Sequence, residues 1–279
     1  VELIPAQVAK VFWFFFSKKN CFLPGHNMQA IWLNNKLLNP AEARIDPTDR
    51  GLTLGDGLFE TILWQHGTPA HAARHFARLR EGAALLAIPV PFTNSTLLQA
   101  LHDVAHPYQQ AALRLTLTRG PAPRGVLPAA ELQPTVLITA GPLPPTPPAA
   151  RVMVARSTRR NEHSPLSRIK SLNYLDSILA RQEAAANGLD DALLLNTQGR
   201  LAEATAANIV LYFDGRLVTP PVAEGALPGI ARAVLLESGE VQERPISAAE
   251  LRRAEGGFLC NSLGRRPLAE IEGRALRRI

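Results

Sequence analysis

The apolar residues of this chain change period several times, and each change marks an element. Ala30-Ile31-Trp32-Leu33 is a short apolar run followed by Asn34-Asn35, the pattern of a strand and its turn. Leu58–Trp64 reads as a second strand, with Gly67 in the turn after it. From Ala72 to Ala87 the period lengthens, and Phe76, Leu79, Ala83 and Leu86 recur at helical spacing. Leu113–Thr118 and Thr135–Thr139 are β-rich runs flanked by Gly and Pro. Five prolines then crowd the eight residues Gly141–Pro148, a stiff, extended stretch that suits a connection between domains. Beyond it, strands are predicted over Arg151–Arg156, Ala192–Leu195 and Asn208–Phe213. Another follows over Arg216–Val218, after the Asp214-Gly215 turn. A helix over Asn173–Ala186 ends at Asn187-Gly188, a second starts near Gly229, and Phe258–Cys260 closes the β-rich part.

The pattern predicts an α+β protein with a strand-heavy C-terminal half. A small α/β domain is expected over 28–141, a Pro-rich linker over 142–149 and a second domain over 150–279. Residues 1–27 look foreign to the rest and are expected to be an extension, the domain itself beginning near Met28. Val11–Phe16 is far shorter than the ~20 residues a membrane span needs. Most of the nearby positive charge follows that run, and no small-residue cleavage site is evident, so no signal peptide is expected.

Composition narrows the function. A chain of 279 residues, 46% hydrophobic and 19% charged, is globular and long enough for a sizeable core. The net charge of +6 is spread out. The pairs Arg252-Arg253, Arg265-Arg266 and Arg277-Arg278 lack aromatic interleaving, so solvated faces or anionic small molecules are expected rather than nucleic acid. Two distant cysteines, Cys21 and Cys260, make no disulfide framework, and a reducing, cytoplasmic setting is expected. His71/His75 and His102/His106 have helical spacing but neither the glutamate of H-E-x-x-H nor an obvious third ligand, so no metal site is expected.

One residue departs from this composition. After Leu37 every positive charge is arginine except Lys170. A lysine amine can lose its proton and attack a carbonyl, which arginine cannot do. Composition alone leaves a stray surface lysine open, and the neighbours must decide. Lys170 lies in Ser167-Arg-Ile-Lys-Ser-Leu-Asn-Tyr174, ahead of a predicted helix. Glu203 follows 33 residues later in Leu201-Ala-Glu-Ala-Thr-Ala-Ala-Asn208. Next come Gly225-Ala-Leu-Pro-Gly-Ile-Ala-Arg232, where Pro-Gly leads into a helix, and Leu259-Cys-Asn-Ser-Leu-Gly264. Pyridoxal phosphate (PLP) needs an amine, a carboxylate for its ring nitrogen, and N–H, hydroxyl or guanidinium partners for its phosphate. Each segment alone is weak.

Together, in this order, they resemble the class IV aminotransferases, the fold type IV PLP enzymes, over about Met28 to Leu268. The resemblance implies the fold type IV architecture, with a small N-terminal α/β domain and a larger, strand-rich, PLP-binding C-terminal domain. It implies Lys170 as the Schiff-base lysine, Glu203 as partner of the pyridine nitrogen, and Arg78, Ile230, Ala231 and Ser262 as phosphate ligands. Within the family, Leu54-Gly-Asp-Gly-Leu-Phe-Glu-Thr61, Thr118-Arg-Gly-Pro-Ala-Pro-Arg-Gly125 and Cys260-Asn-Ser-Leu263 are similar to segments of 4-amino-4-deoxychorismate lyase. That likeness implies breakdown of 4-amino-4-deoxychorismate to 4-aminobenzoate and pyruvate, a step of folate biosynthesis. Thr61 would help protonate the leaving group, and Arg124 would pair with a substrate carboxylate. The alternatives are an aminotransferase acting on D-amino or branched-chain amino acids and, more remotely, a non-catalytic PLP-binding protein. Tyr174, four residues after the lysine, is assigned no role. The family also implies a homodimer with active sites near the subunit interface.

Overall fold

A computed structural model describes residues 30–131 and 133–278 of the chain. The expected extension 1–27 and the start near Met28 lie outside the described residues. The architecture is α+β, built on two sheets with few helices.

The first sheet holds β1 (Ile31–Leu33), β2 (Lys36–Leu38), β3 (Gly57–Gln65), β4 (Thr68–Pro69), β5 (Gln110–Thr118) and β6 (Thr135–Pro142). Their order is β2-β1-β6-β5-β3-β4, and every pairing is antiparallel. Asn34 and Asn35 both have positive φ, the backbone a two-residue hairpin turn demands. Alternation along β3 and β5 puts Leu58, Ile62, Trp64, Leu113, Leu115 and Leu117 on one face. Three helices follow the chain here: α1 (Arg50–Leu54), α2 (Ala72–Leu85) and α3 (Asn94–Ala105). The apolar face of the sheet buries Phe76 and Leu79 of α2, and Leu97, Leu101 and Val104 of α3. The other face carries Phe59, Thr61 and Arg114, with Thr61 directly across from Arg114.

The stretch from Leu143 to Ala149 is irregular and leads into the second sheet. Its strands are β7 (Ala150–Val154), β8 (Asp191–Leu195), β9 (Leu201–Ala204), β10 (Asn208–Phe213), β11 (Arg216–Thr219), β12 (Gln242–Glu243), β13 (Gly256–Asn261), β14 (Gly264–Ile271) and β15 (Arg274–Ala275). The main path runs β12-β11-β10-β13-β14-β7-β8-β9, with β15 beside β14. One face closes over Val152, Leu193, Leu201, Ile209, Leu259 and Leu268. The other receives α4 (Leu175–Ala186) through Ala180 and Ala184, and α5 (Ile230–Glu237) through Leu235. A sheet covered on both faces needs continuous apolar runs, which explains Ala192-Leu-Leu-Leu195.

The segment that carries Lys170 lies outside both sheets and docks on the first. Residues 170–172 pair antiparallel with the start of β3: Phe59 N–H donates to Lys170 O at 2.9 Å, and Leu172 N–H donates to Gly57 O at 3.0 Å. Lys170 therefore sits at an edge of the first sheet, while Glu203 lies on β9, an edge strand of the second.

Candidate active site

Lys170, Glu203, Arg78, Ile230 and Ser262 come from five separate segments and line one cleft of ≈ 220 Å³. Ala231 follows Ile230 in the first turn of α5. A ring of secondary partners sets the orientation of these groups.

The Lys170 ammonium donates to the Tyr174 hydroxyl at 3.0 Å and stands 4.4 Å from the centre of the Phe59 ring. Tyr174 packs edge-on against that ring, at 5.2 Å between centres. The lysine head thus occupies an aromatic cradle, with Tyr174 as a direct hydrogen-bond partner. The Arg114 guanidinium lies over Phe59 as well, its Cζ 3.8 Å from the ring centre.

Glu203 is 8% exposed. Its Oε2 accepts from Leu227 N–H at 2.9 Å, and its Oε1 lies 3.1 Å from Arg160 Nε. Burial pushes the carboxyl above the ordinary carboxylate range, against the pull of the Arg160 guanidinium and the Leu227 N–H.

The loop Gly225–Gly229 is held almost atom by atom. Arg160 Nε donates to Gly225 O at 3.0 Å, Asn208 Nδ2 to Leu227 O at 2.9 Å, and Arg78 Nη1 to Pro228 O at 3.0 Å. Gly229 has no room for a side chain: a Cβ there would lie 1.9 Å from Asn208 Oδ1. This loop delivers the N-terminus of α5, whose first N–H groups have no partners within the helix. Those donors and the positive end of the helix dipole suit an anion.

Arg78 is fixed from behind. Its Nε and Nη2 donate to Glu60 at 2.9 and 2.5 Å, and Glu60 is 1% exposed. His75 Nδ1 meets the same carboxylate at 2.6 Å. Burial outweighs that contact and holds the imidazole below its ordinary pKa, while the bonds from His75 and Arg78 hold Glu60 low despite its own burial. The consistent state is an ionised Glu60, a cationic Arg78 and a neutral His75 donating through Nδ1.

Two expected site residues lie elsewhere. Thr61 does not line the cleft; it sits two positions past Phe59 and shares its sheet face. Arg124 is exposed in the loop after β5. Buried Arg50 grips that loop from below, donating to Gly125 O at 2.7 Å and Val126 O at 2.8 Å. Conversely, sequence reasoning passed over Arg160, Asn208, Glu60 and Arg114, and gave Tyr174 no role. No metal cluster of three or more His, Cys, Asp or Glu is present among the described residues.

Comparison with known proteins places this cleft in context. The family model described as "Amino-transferase class IV" matches residues 57–271. A Methanocaldococcus jannaschii protein provisionally named a branched-chain-amino-acid aminotransferase is 33% identical, over 88% of this chain and 89% of its own. The structure of 4-amino-4-deoxychorismate lyase from Pseudomonas aeruginosa is 34% identical with a TM-score of 0.77, covering 88% of this chain and 93% of that one. A T.th. branched-chain amino acid aminotransferase, solved with pyridoxamine 5'-phosphate, is 25% identical with a TM-score of 0.82, covering 89% and 88%.

Proposed function

The chain belongs to the class IV aminotransferase family, which depends on pyridoxal phosphate, and from that premise we propose that it is a 4-amino-4-deoxychorismate lyase. The observation carrying the reading is the convergence of a lysine amine, a buried carboxylate and a helix N-terminus on one cleft, in a chain whose Thr61 and Arg-Gly loop are similar to lyase segments.

The residues present fit PLP by their chemistry. Lys170 supplies the amine, Glu203 an acceptor for the ring N–H, and Ile230, Ala231, Ser262 and Arg78 the donors for a phosphate. When bound, PLP offers an electrophilic carbon for an amine and a protonated ring that accepts an electron pair.

The chain's own groups do the rest. Lys170, once free, takes the proton from the substrate carbon that bears the nitrogen. Tyr174 holds the lysine amine in place through its hydroxyl, and Phe59 walls one side. Glu203 keeps the proton on the ring nitrogen. The ammonium that Lys170 becomes on taking the substrate proton supplies the proton the departing enolpyruvate oxygen needs. Thr61, on the same sheet face as Phe59, acts as a relay, passing on one proton as it takes up another. Arg114, with no carboxylate partner among the described residues, takes one of the two substrate carboxylates.

Arg124 is exposed and absent from the lining of the cleft in its own chain, so on this reading it serves the cleft of a second copy. A homodimer is supported by exposed apolar side chains: Val126 and Leu127, which follow Arg124 in the chain, are 86% and 88% exposed, and Leu175 of α4 is 74% exposed.

A second reading, an aminotransferase, is favoured by the similarity to the M. jannaschii protein. It uses the same lysine and carboxylate but returns the proton to the cofactor. Product identity separates the two. Purified protein given 4-amino-4-deoxychorismate should release 4-aminobenzoate and pyruvate in equal amounts. Amino transfer from D-alanine or a branched-chain amino acid, with no 4-aminobenzoate formed, would overturn the lyase reading.

A further inference from the structure

Arg160 joins both halves of the cleft. Its Nε lies 3.1 Å from Glu203 Oε1 and donates to Gly225 O at 3.0 Å, two residues before the amide that binds Glu203. Its Nη2 donates to Ser167 O at 3.1 Å, three residues before Lys170. Its own backbone N–H is tied to Leu195 O on β8 at 2.8 Å, so the side chain starts from a fixed point. It is the only cation in salt-bridge contact with Glu203 among the described residues.

We propose that Arg160 is the positioning residue for Glu203: its guanidinium holds that carboxylate ionised and aimed, and through Ser167 it ties the carboxylate to the segment that carries Lys170. The inference rests on the reading of the cleft as a PLP site. An arginine suits the task because its planar fork reaches a carboxylate and two carbonyls at once without losing its charge. Burial drives Glu203 towards its neutral form, and a neutral carboxyl cannot hold a protonated ring nitrogen. Of the groups that oppose burial, Arg160 contributes most.

The test uses the PLP-loaded protein and four variants: Arg160→Gln, Arg160→Lys, Glu203→Gln and the double variant Arg160→Gln/Glu203→Gln. Glutamine keeps a donor near the Nε position, towards Gly225 O, but drops the charge and the reach to Ser167 O, while lysine keeps the charge. Visible absorbance is followed across pH, and PLP dissociation constants are measured. Arg160→Gln should reproduce the spectrum of Glu203→Gln and weaken PLP binding about tenfold, with Arg160→Lys, which keeps the charge but not the fork, falling between Arg160→Gln and wild type. The double variant should be no worse than Glu203→Gln alone, because the arginine acts through that carboxylate. A wild-type spectrum for Arg160→Gln, lysine as impaired as glutamine, or additive losses in the double variant would each overturn the proposal. A wild-type protein that takes up no PLP would instead overturn the reading of the site.

Discussion

Lys170 owes its chemistry to its contacts. The Tyr174 hydroxyl at 3.0 Å is placed to accept from the ammonium and to donate to the free amine, so under the proposed function it steadies both states of the lysine. Tyr174→Phe removes that partner while keeping the ring against Phe59. The expected outcome is a fall in kcat of about tenfold to a hundredfold, with PLP still bound. An unchanged kcat would show that the hydroxyl is idle. At this scale the sequence was partly legible. Lys170 stood out because arginine had replaced every other cation around it, and Glu203 because a fixed order of segments followed. Arg160 did not stand out: Arg156, Arg159 and Arg160 are equivalent as letters, and only the fold aims one of them at Glu203.

Among the elements, β3, α2 and the loop before α5 act together. Glu60 on β3 anchors Arg78 and His75 on α2, and Arg78 reaches across to Pro228. Because burial holds His75 below its ordinary pKa, the folded state binds fewer protons there than the unfolded chain. Its contribution is therefore fully present above about pH 6.5 and is lost as pH falls below that value. Glu60 acts in the same direction at lower pH, since its folded pKa is depressed. Denaturant unfolding should show stability falling by up to about 1.4 kcal/mol per pH unit just below that point. His75→Gln should flatten this slope between about pH 6.5 and pH 5, and a slope that persists would place the acid sensitivity elsewhere. Gly229→Ala tests the loop itself. The new Cβ collides with Asn208 Oδ1, so a loss of about 1–3 kcal/mol is expected, together with weaker PLP retention. Most of these elements follow from pattern: β3, α2, α4 and α5 lie close to where periodicity puts them. Thr93 and the spacing of Leu97, Leu101 and Val104 also signal α3, yet the expected layout left that stretch undefined. Strands β9 and β14 are different. Leu201–Ala204 is short, and Arg265-Arg266-Pro267 is polar, so their pairing is decided by neighbours in the sheet rather than by local preference.

For the whole molecule, the site gathers a segment docked on the first sheet, an edge strand of the second and the loop before α5, a relation no local motif encodes. The same limit explains Thr61 and Arg124, whose motifs identify them but do not say how they stand to the cleft. If a second copy completes the site, charge at the exposed apolar side chains should break the contact. Leu127→Asp combined with Leu175→Asp is expected to halve the mass seen by light scattering and to lower activity, with each chain still folded. An unchanged mass would remove that interface. The central claim is narrower: Lys170 is the amine that carries PLP. The chain has five lysines, Lys10, Lys18, Lys19, Lys36 and Lys170, so one experiment separates them. The PLP-loaded protein is reduced with borohydride and digested with trypsin, and the mass of each peptide is read. The cofactor's mass should appear on the peptide Ile169–Arg181, with cleavage blocked at Lys170. Label on any other lysine, or on none, would contradict the account.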